Sequence, residues 1–510
     1  MMAYTFPSVK RDGITLIVGL GETGVAAAKW CARHGARLRV LDTRTQPAGL
    51  AGLRAVVDDD VLELRLGAEA LSPDALEGVH TLVLSPGLSP IDPAVRALLD
   101  AAHAAGLEVV GEIELFARAL NDMRDQGYVP KVLAVTGTNG KTTVTAMARQ
   151  LAQASGFSAV AAGNISPAAL GALATALDDN ALPDVWVIEL SSFQLTTTRS
   201  LHAAAAVVLN ISPDHLDWHG SLDAYVQAKS GVLSQAMVKI VNRDDAIVRG
   251  MVNGLADIDV RSFGSDAPSF AGDLGLEVHH EMAWVCAATD RALADASRAV
   301  SSRKGAPSLS ERAAGERRRL MPADALRVRG THNVLNAQAA LALVSALGTG
   351  WAPMLHALHD YRGEPHRMEF VRTIAGVDFI NDSKGTNVGA TVAALNGLEQ
   401  PLVLIAGGLA KGQDFSALAR AAAGRVRRAV LMGRDAPELA APLSEAGVTC
   451  DVAGAMAEAV GKAFDAAQPG DVVLLSPACA SMDMFDSYVH RGRCFVDAVS
   501  ELALDQGEVA

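Results

Sequence analysis

Lys131-Val-Leu-Ala-Val-Thr-Gly-Thr-Asn-Gly-Lys-Thr-Thr-Val-Thr145 is the stretch on which the reading of this chain turns. Val132 to Val135 read as a short buried strand, Gly137 to Gly140 as a glycine-punctuated turn, and the residues from Thr142 onward as a helix. A strand, a glycine turn and a helix start carrying Gly-Lys-Thr make a phosphate cradle. The first N–H groups of a helix have no partner within it, and the helix dipole favours an anion there. In that reading Gly137, Thr138, Asn139, Gly140 and Thr143 line the cradle, Lys141 reaches the terminal phosphates, and the Thr142 hydroxyl sits on Mg²⁺. The loop is shorter than G-x-x-x-x-G-K-[ST], since Val135 stands two places before Gly137, so this is a variant P-loop. The bland alternative is a β–α turn with a surface lysine, but the flanking strand and helix are the context that the motif requires.

Working outward, the chain of 510 residues is too long for one core, and about 150 residues per domain suggests three domains. Half the residues are hydrophobic and only 4% aromatic, with abundant Ala and Gly, which suits small-residue helices packed on parallel sheets. A net charge of −13 argues against a nucleic-acid surface. Phosphates must then be held by local basic groups and helix ends. The five cysteines show no C-x-x-C pair, which reads as thiols in a reducing cytoplasm. No signal pattern and no apolar run of about 20 residues is evident, so a soluble, unprocessed protein away from the membrane is expected.

Upstream, Gly13 to Val18 read as a strand, Gly19-Leu-Gly-Glu-Thr-Gly24 as a glycine turn, and about Val25 to His34 as a helix stopped by Gly35. The next strand, Leu38 to Leu41, ends at Asp42-Thr43. This G-x-G-x-x-G unit with an acidic residue after the second strand binds a diphosphate and a ribose. It fits a dehydrogenase or another nucleotide site equally, because the fingerprint says nothing about hydride chemistry. Thr81 to Leu84 read as a strand running into Ser85-Pro-Gly87, a ligand edge or a mere turn.

Downstream, the polar stretch Asn121 to Gly127 reads as a linker. Asp184 to Ile188 and Ala204 to Leu209 read as strands, ending at Glu189 and at Asn210-Ile-Ser-Pro-Asp-His215. An acidic residue ending the strand after a P-loop suits a Mg²⁺ holder, whereas His215 alone is a loop histidine. Ala287 to Leu320, rich in Ala, Ser and Arg, reads as a solvated insertion, with Arg317-Arg-Arg319 a charged surface. From near Tyr361 the strands Val377–Asn381, 401–406, 428–432 and 471–475 end in polar turns that carry Asp382-Ser-Lys384, Lys411 and Ser476 to Asp483. Three polar strand ends in one parallel sheet face one crevice.

Gly137 to Thr143, Glu189-Leu-Ser-Ser-Phe-Gln194, Asp214-His215, Thr331-His-Asn-Val-Leu-Asn336, His366-Arg367 and Asp382 to Asn387 together resemble the Mur ligase family, ATP-dependent amide-forming ligases of bacterial cell-wall synthesis. Ser85-Pro-Gly87, Ser191 to Leu195 and Ser476 to Asp483 resemble its D-glutamate-adding branch. The match covers nearly the whole chain. It implies an α/β protein of three domains: a Rossmann-like UDP domain over 1–111, a central P-loop ATPase domain over 112–363 with its insertion near 287–320, and a Rossmann-like domain for the incoming amino acid over 364–510.

The resemblance implies ATP and two Mg²⁺ ions as cofactors, and a cytoplasmic monomer acting on UDP-N-acetylmuramoyl-L-alanine and D-glutamate. An acyl phosphate would be the intermediate. It places Lys141, Glu189, His215, Lys229 and Lys384 in the catalytic machinery. Thr142, Glu189, His215 and a carbamylated Lys229 would serve as metal ligands, and the P-loop with Asn333, Asn336, Arg367 and Asp382 would hold ATP. Glu22, Thr23, Asp42, Thr43, Ser85, Gly87 and Asn164 would hold the sugar nucleotide, which removes the dehydrogenase reading. Lys384, Thr386, Lys411, Ser481 and Tyr488, the last where the family carries phenylalanine, would hold D-glutamate. A sibling ligase for another amino acid, and a non-catalytic protein gated by ATP, are the alternatives.

Overall fold

The computed structural model describes residues 4–253, 259–289, 312–328, 330–410 and 412–508. The chain divides into two compact units, one of Met1–Met321 with Ala337–Leu358, the other of Pro322–Asn336 with His359–Ala510.

The first unit holds two parallel sheets. The five-stranded one has the spatial order Leu62–Leu66, Arg37–Asp42, Ile14–Val18, Val79–Leu84, Glu108–Val110. The six-stranded one runs Asp259–Phe263, Ala236–Asn242, Ala203–Val208, Lys131–Thr136, Val185–Glu189, Ala159–Gly163. Parallel strands are covered on both faces and therefore read as unbroken apolar runs. Val132, Leu133, Ala134 and Val135 are accordingly all buried. The helix after the P-loop spans Lys141–Ala154 and buries Val144, Met147, Ala148 and Leu151, spaced so that one stripe faces the sheet.

The helix Ala169–Asp178 has no side-chain cap of its own. Its cap comes from elsewhere: Glu22 Oε1 accepts from Ala168 N–H at 3.1 Å and Ser166 Oγ–H at 2.8 Å, and Glu112 Oε1 accepts from Leu170 N–H at 2.6 Å. At its far end Asp178 pairs with Arg33. Carboxylates at a helix start complement its dipole and its unpaired N–H groups. One helix thus joins the two sheets' surroundings.

Two expectations need correction. Asn121 to Gly127 is not a linker: the helix Glu112–Arg124 runs through it, leaving only residues 125–127 as a turn. Leu120 and Met123 are buried, while the polar residues bond outward, Asn121 to the Ser200 carbonyl and Asp122 to Ser8. Nor is 287–320 wholly a solvated insertion. Met282–Thr289 and Glu316–Pro322 are strands of a three-stranded sheet with Leu274–His279, which pairs antiparallel with Met282–Thr289. Val285, Cys286, Ala287 and Ala288 are buried in it. The rest of that expectation, over 290–311, lies outside the described residues. Arg317, Arg318 and Arg319 are largely exposed, with Arg317 and Arg319 pairing Glu277.

The second unit carries a six-stranded sheet ordered Glu369–Ile374, Val377–Asn381, Val472–Leu475, Leu402–Gly407, Val426–Met432, Thr449–Ala453. Its first pair is antiparallel and the others parallel. The central strands are almost wholly buried, as in Leu402–Gly407 and Val472–Leu475, while the edge strands are not. No helix among the described residues is long and apolar enough to cross a membrane, and all five cysteines are free thiols.

Candidate active site

The P-loop lies at the carboxyl end of Lys131–Thr136, where ligands of parallel sheets sit. Gly137 has φ +151°, and a Cβ there would lie 2.8 Å from Leu209 Cβ, so only glycine lets the loop lie against the neighbouring strand end. Gly140, at φ +85°, is the left-handed residue that starts the helix Lys141–Ala154. The loop is braced from the side. Asn139 N–H donates to Asn210 Oδ1 at 2.8 Å while Asn210 Nδ2 returns a bond to the Asn139 carbonyl at 3.1 Å. Thr138 Oγ1 meets the Tyr225 hydroxyl at 2.8 Å and accepts from Ser212 N–H at 3.0 Å. Lys141 Nζ donates to the carbonyls of Gly137 and Thr138 at 3.0 and 2.8 Å, so its charge curls over the cradle.

Thr142, Glu189 and Asn164 meet. The Thr142 hydroxyl donates to Glu189 Oε2 at 2.6 Å and Asn164 Nδ2 donates to Glu189 Oε1 at 2.8 Å. A hydroxyl and a carboxylate side by side beside a phosphate cradle are the oxygen donors a hard cation such as Mg²⁺ takes. The residues fit that ion. Lys229 is buried on the helix Leu222–Ser234, with Nζ donating to the Gly137 carbonyl at 2.9 Å and lying 4.8 Å from the Tyr225 ring centre. Burial first, and the Lys141 charge second, push its amine well below the usual lysine range, while Asp214 and Glu189 oppose this weakly. A neutral amine is the form that reacts with CO₂. His215, at φ +54°, starts the turn Leu216–His219 and packs edge-on against Phe193, ring centres 4.8 Å apart. Among the described residues no group of three His, Cys, Asp or Glu side chains could hold a metal.

At the first sheet, Gly24 packs so closely that a Cβ would fall 1.9 Å from the Gly19 carbonyl, fixing the G-x-G-x-x-G turn against its helix. Ser85 Oγ donates to the Gly19 carbonyl at 2.9 Å, bringing two predicted segments together. Asp42 Oδ2 accepts from Leu20 N–H, and its carboxylate is gripped by Arg44. Burial raises its pKa, but these bonds outweigh it and hold the carboxyl below its usual range. Glu22 is spent on Ser166 and Ala168, as described above. Gly87 and Thr43 are on the same strand-end loops as Ser85 and Asp42. Thr23 lies in the first turn of the helix Glu22–Arg33.

In the second unit, Asp382 ends the strand Val377–Asn381 and accepts from Ser476 Oγ–H at 2.7 Å. Burial pushes its carboxyl up to about 7 against the pull of Ser476 and Arg367. Lys384 Nζ sits 3.9 Å from the Tyr488 ring centre, a cation–π contact that phenylalanine would also supply. Thr386 N–H donates to the Lys384 carbonyl, and Ser481 is buried with its carbonyl accepting from Met484 and Phe485. Asn336 Nδ2 donates to Asn333 Oδ1 at 3.1 Å. Lys411 lies outside the described residues.

Sequence reasoning passed over two residues. Tyr225 stands four positions before Lys229, on the same helix face, a spacing that could have linked them. Arg491, wholly buried, bridges Ser383 Oγ, the Ser383 carbonyl and the Cys479 carbonyl, tying the loops that carry Lys384 and Ser481. No local pattern marks it.

A P-loop strand–turn–helix in a parallel sheet, with a glycine-rich βαβ sheet before it and a mixed α/β sheet after it, defines a multidomain nucleotide-handling architecture. Three family models match in order: the MurD-like N-terminal domain of Mur ligases over 14–111, the Mur ligase middle domain over 135–344, and the Mur ligase glutamate ligase domain over 366–479. The UDP-N-acetylmuramoylalanine--D-glutamate ligase of Bordetella avium is 58% identical over 97% of both chains. That of Burkholderia cenocepacia is 50% identical over 98% of this chain and 99% of its own. Among solved structures, MurF from Acinetobacter baumannii aligns at a TM-score of 0.58 and 18% identity, covering 98% of this chain and 99% of that one. The chain belongs to the Mur ligase family.

Proposed function

We propose that this chain is an ATP-dependent ligase that joins D-glutamate to UDP-N-acetylmuramoyl-L-alanine, releasing ADP and phosphate, in the cytoplasmic assembly of peptidoglycan precursors. The observation that carries it is identity of 58% over 97% of the chain to a relative bearing that name, with the P-loop, Glu189 and Asp382 loops formed.

In the reaction, a carboxylate oxygen of the sugar nucleotide bonds to the γ-phosphorus of ATP as the bond to ADP breaks, giving an acyl phosphate. The D-glutamate amine then bonds to the acyl carbon, loses a proton, and phosphate leaves. Two anions must meet in the first step, so cations have to offset their repulsion. Lys141 supplies one charge at the cradle, and the P-loop N–H groups supply partial charge. Mg²⁺, when bound, neutralises phosphate charge, and Thr142, Glu189, His215 and a carbamylated Lys229 would hold two such ions. Asn164 fixes the Glu189 carboxylate in place. Asn333, Asn336, Arg367 and Asp382 serve ATP; Glu22, Thr23, Asp42, Thr43, Ser85 and Gly87 serve the uridine diphosphate; Lys384, Thr386, Lys411, Ser481 and Tyr488 serve D-glutamate.

The test is ADP release by the purified chain with UDP-N-acetylmuramoyl-L-alanine and a panel of amino acids. D-glutamate alone should support turnover. Preference for another amino acid would overturn the substrate, and nucleotide binding without any amide product would overturn the enzyme.

A further inference from the structure

Two residues of the first unit that line one small cavity each carry a buried polar atom with no hydrogen-bond partner. Glu112 Oε2, on a residue 3% exposed, and Trp218 Nε1, on a residue 7% exposed, make no hydrogen bond. Glu112 and Trp218 both line a partly open cavity of about 10 Å³, room for a single water molecule. Thr197 lines it too, with its hydroxyl group pressed close to the Gly111 backbone.

The chemistry of these groups is complementary. An indole N–H can only donate, and a carboxyl oxygen of Glu112 can accept. A water molecule does both, so it satisfies the pair at once. Leaving either buried group bare is costly, and buried water is the usual remedy where a site is polar and has at least two partners. A wholly apolar cavity of this size would stay dry; this one has a mixed wall, with Glu112, Thr197 and Trp218 beside Leu84, Pro86 and Phe193.

We infer that this cavity is a binding site for one ordered water molecule, held by Trp218 Nε1–H and Glu112 Oε2 with Thr197 Oγ1 beside it. The site joins four elements: the loop after Val79–Leu84, which contributes Pro86, the start of the helix Glu112–Arg124, the short helix Ser192–Leu195 with the turn after it that carries Thr197, and the turn Leu216–His219. Trp218 also packs on Phe193, ring centres 4.6 Å apart, and Phe193 packs on His215. Its carbonyl accepts from Ser89 Oγ–H at 3.2 Å. The water therefore pins the turn that begins at His215 to the end of the first sheet. It is a positioning device, independent of which amino acid the enzyme joins.

A crystal structure of the full chain, at a resolution that shows ordered water, tests this directly. One water within hydrogen-bonding reach of both Trp218 Nε1 and Glu112 Oε2 is expected. A direct Trp218–Glu112 bond, or no density in the cavity, would overturn the inference. In solution, the Trp218 indole N–H signal, assigned by its loss in Trp218→Phe, should show a cross-peak to a long-lived water. A cross-peak only to bulk water, or none, refutes it; should Trp218→Phe not fold, the same signal is identified by its nuclear Overhauser contacts to the Phe193 ring.

Discussion

Glu112→Gln isolates the electrostatic cost of one buried carboxyl. The Glu112 side chain has a single hydrogen bond, from Leu170 N–H, and burial pushes its carboxyl from 4.5 up to about 7, with the Glu22 charge adding to the rise. The sign follows from proton binding. Between pH 4.5 and 7 the folded state holds this proton more tightly than the unfolded chain does, so stability falls as pH rises. The carboxyl imposes no penalty below pH 4.5 and its full penalty above pH 7. The gap between those values, at about 1.4 kcal/mol per pH unit, corresponds to about 3 kcal/mol. A water at Oε2 lowers that figure and leaves the sign unchanged. The glutamine keeps a carbonyl for Leu170 N–H and carries no charge. Urea unfolding of wild type and Glu112→Gln across pH 4 to 9 should therefore show equal stability at the acid end and a variant more stable by up to about 3 kcal/mol at pH 8. Groups that do not interact with Glu112 cancel in the difference, and the repulsion from Glu22 acts in the same direction as burial. A difference that stays flat with pH would refute the reasoning.

Gly137→Ala puts a side chain at φ +151° and 2.8 Å from Leu209 Cβ, so it should lose about 1–3 kcal/mol in urea unfolding and weaken nucleotide binding as the loop shifts. Lys229→Ala should abolish ADP release, with partial recovery when small carboxylates are added; unchanged turnover would remove Lys229 from the site. Lys384→Met, which keeps the contact with Tyr488 but not the charge, should raise the KM for D-glutamate about 10- to 100-fold, the worth of one bond to a charged group, and leave ATP binding intact.

The parts of the site that were legible in the sequence are local. Gly137, Gly140 and Lys141 act within one turn, and the strand and helix beside them have the right periods, so the cradle needed no tertiary information. Family likeness then supplied the order of the sheets' partners. What stayed hidden depends on distant neighbours. The polar residues from Asn121 onward gave no hint of a helix, because its apolar face lies almost all before Asn121, with only Met123 buried beyond it, and its polar groups bond to Ser8 and Ser200 far away in the chain. The strand Glu369–Ile374 escaped notice since, at the edge of its sheet, only Ile374 is buried. Glu316–Pro322, dominated by arginine, lacks the apolar alternation of a strand. Arg491 becomes meaningful only when Ser383 and Cys479 converge on it.

Glu22 and Glu112 hold the start of the helix Ala169–Asp178, and Arg33 holds its end. The glycine turn of the first sheet and the P-loop of the second thereby belong to one compact unit. They form a gauge of set length. On the proposed function, with the uridine diphosphate at the first turn and ATP at the second, a sugar nucleotide shortened between its uridine and its carboxylate would be seated at one end of that gauge without reaching the other.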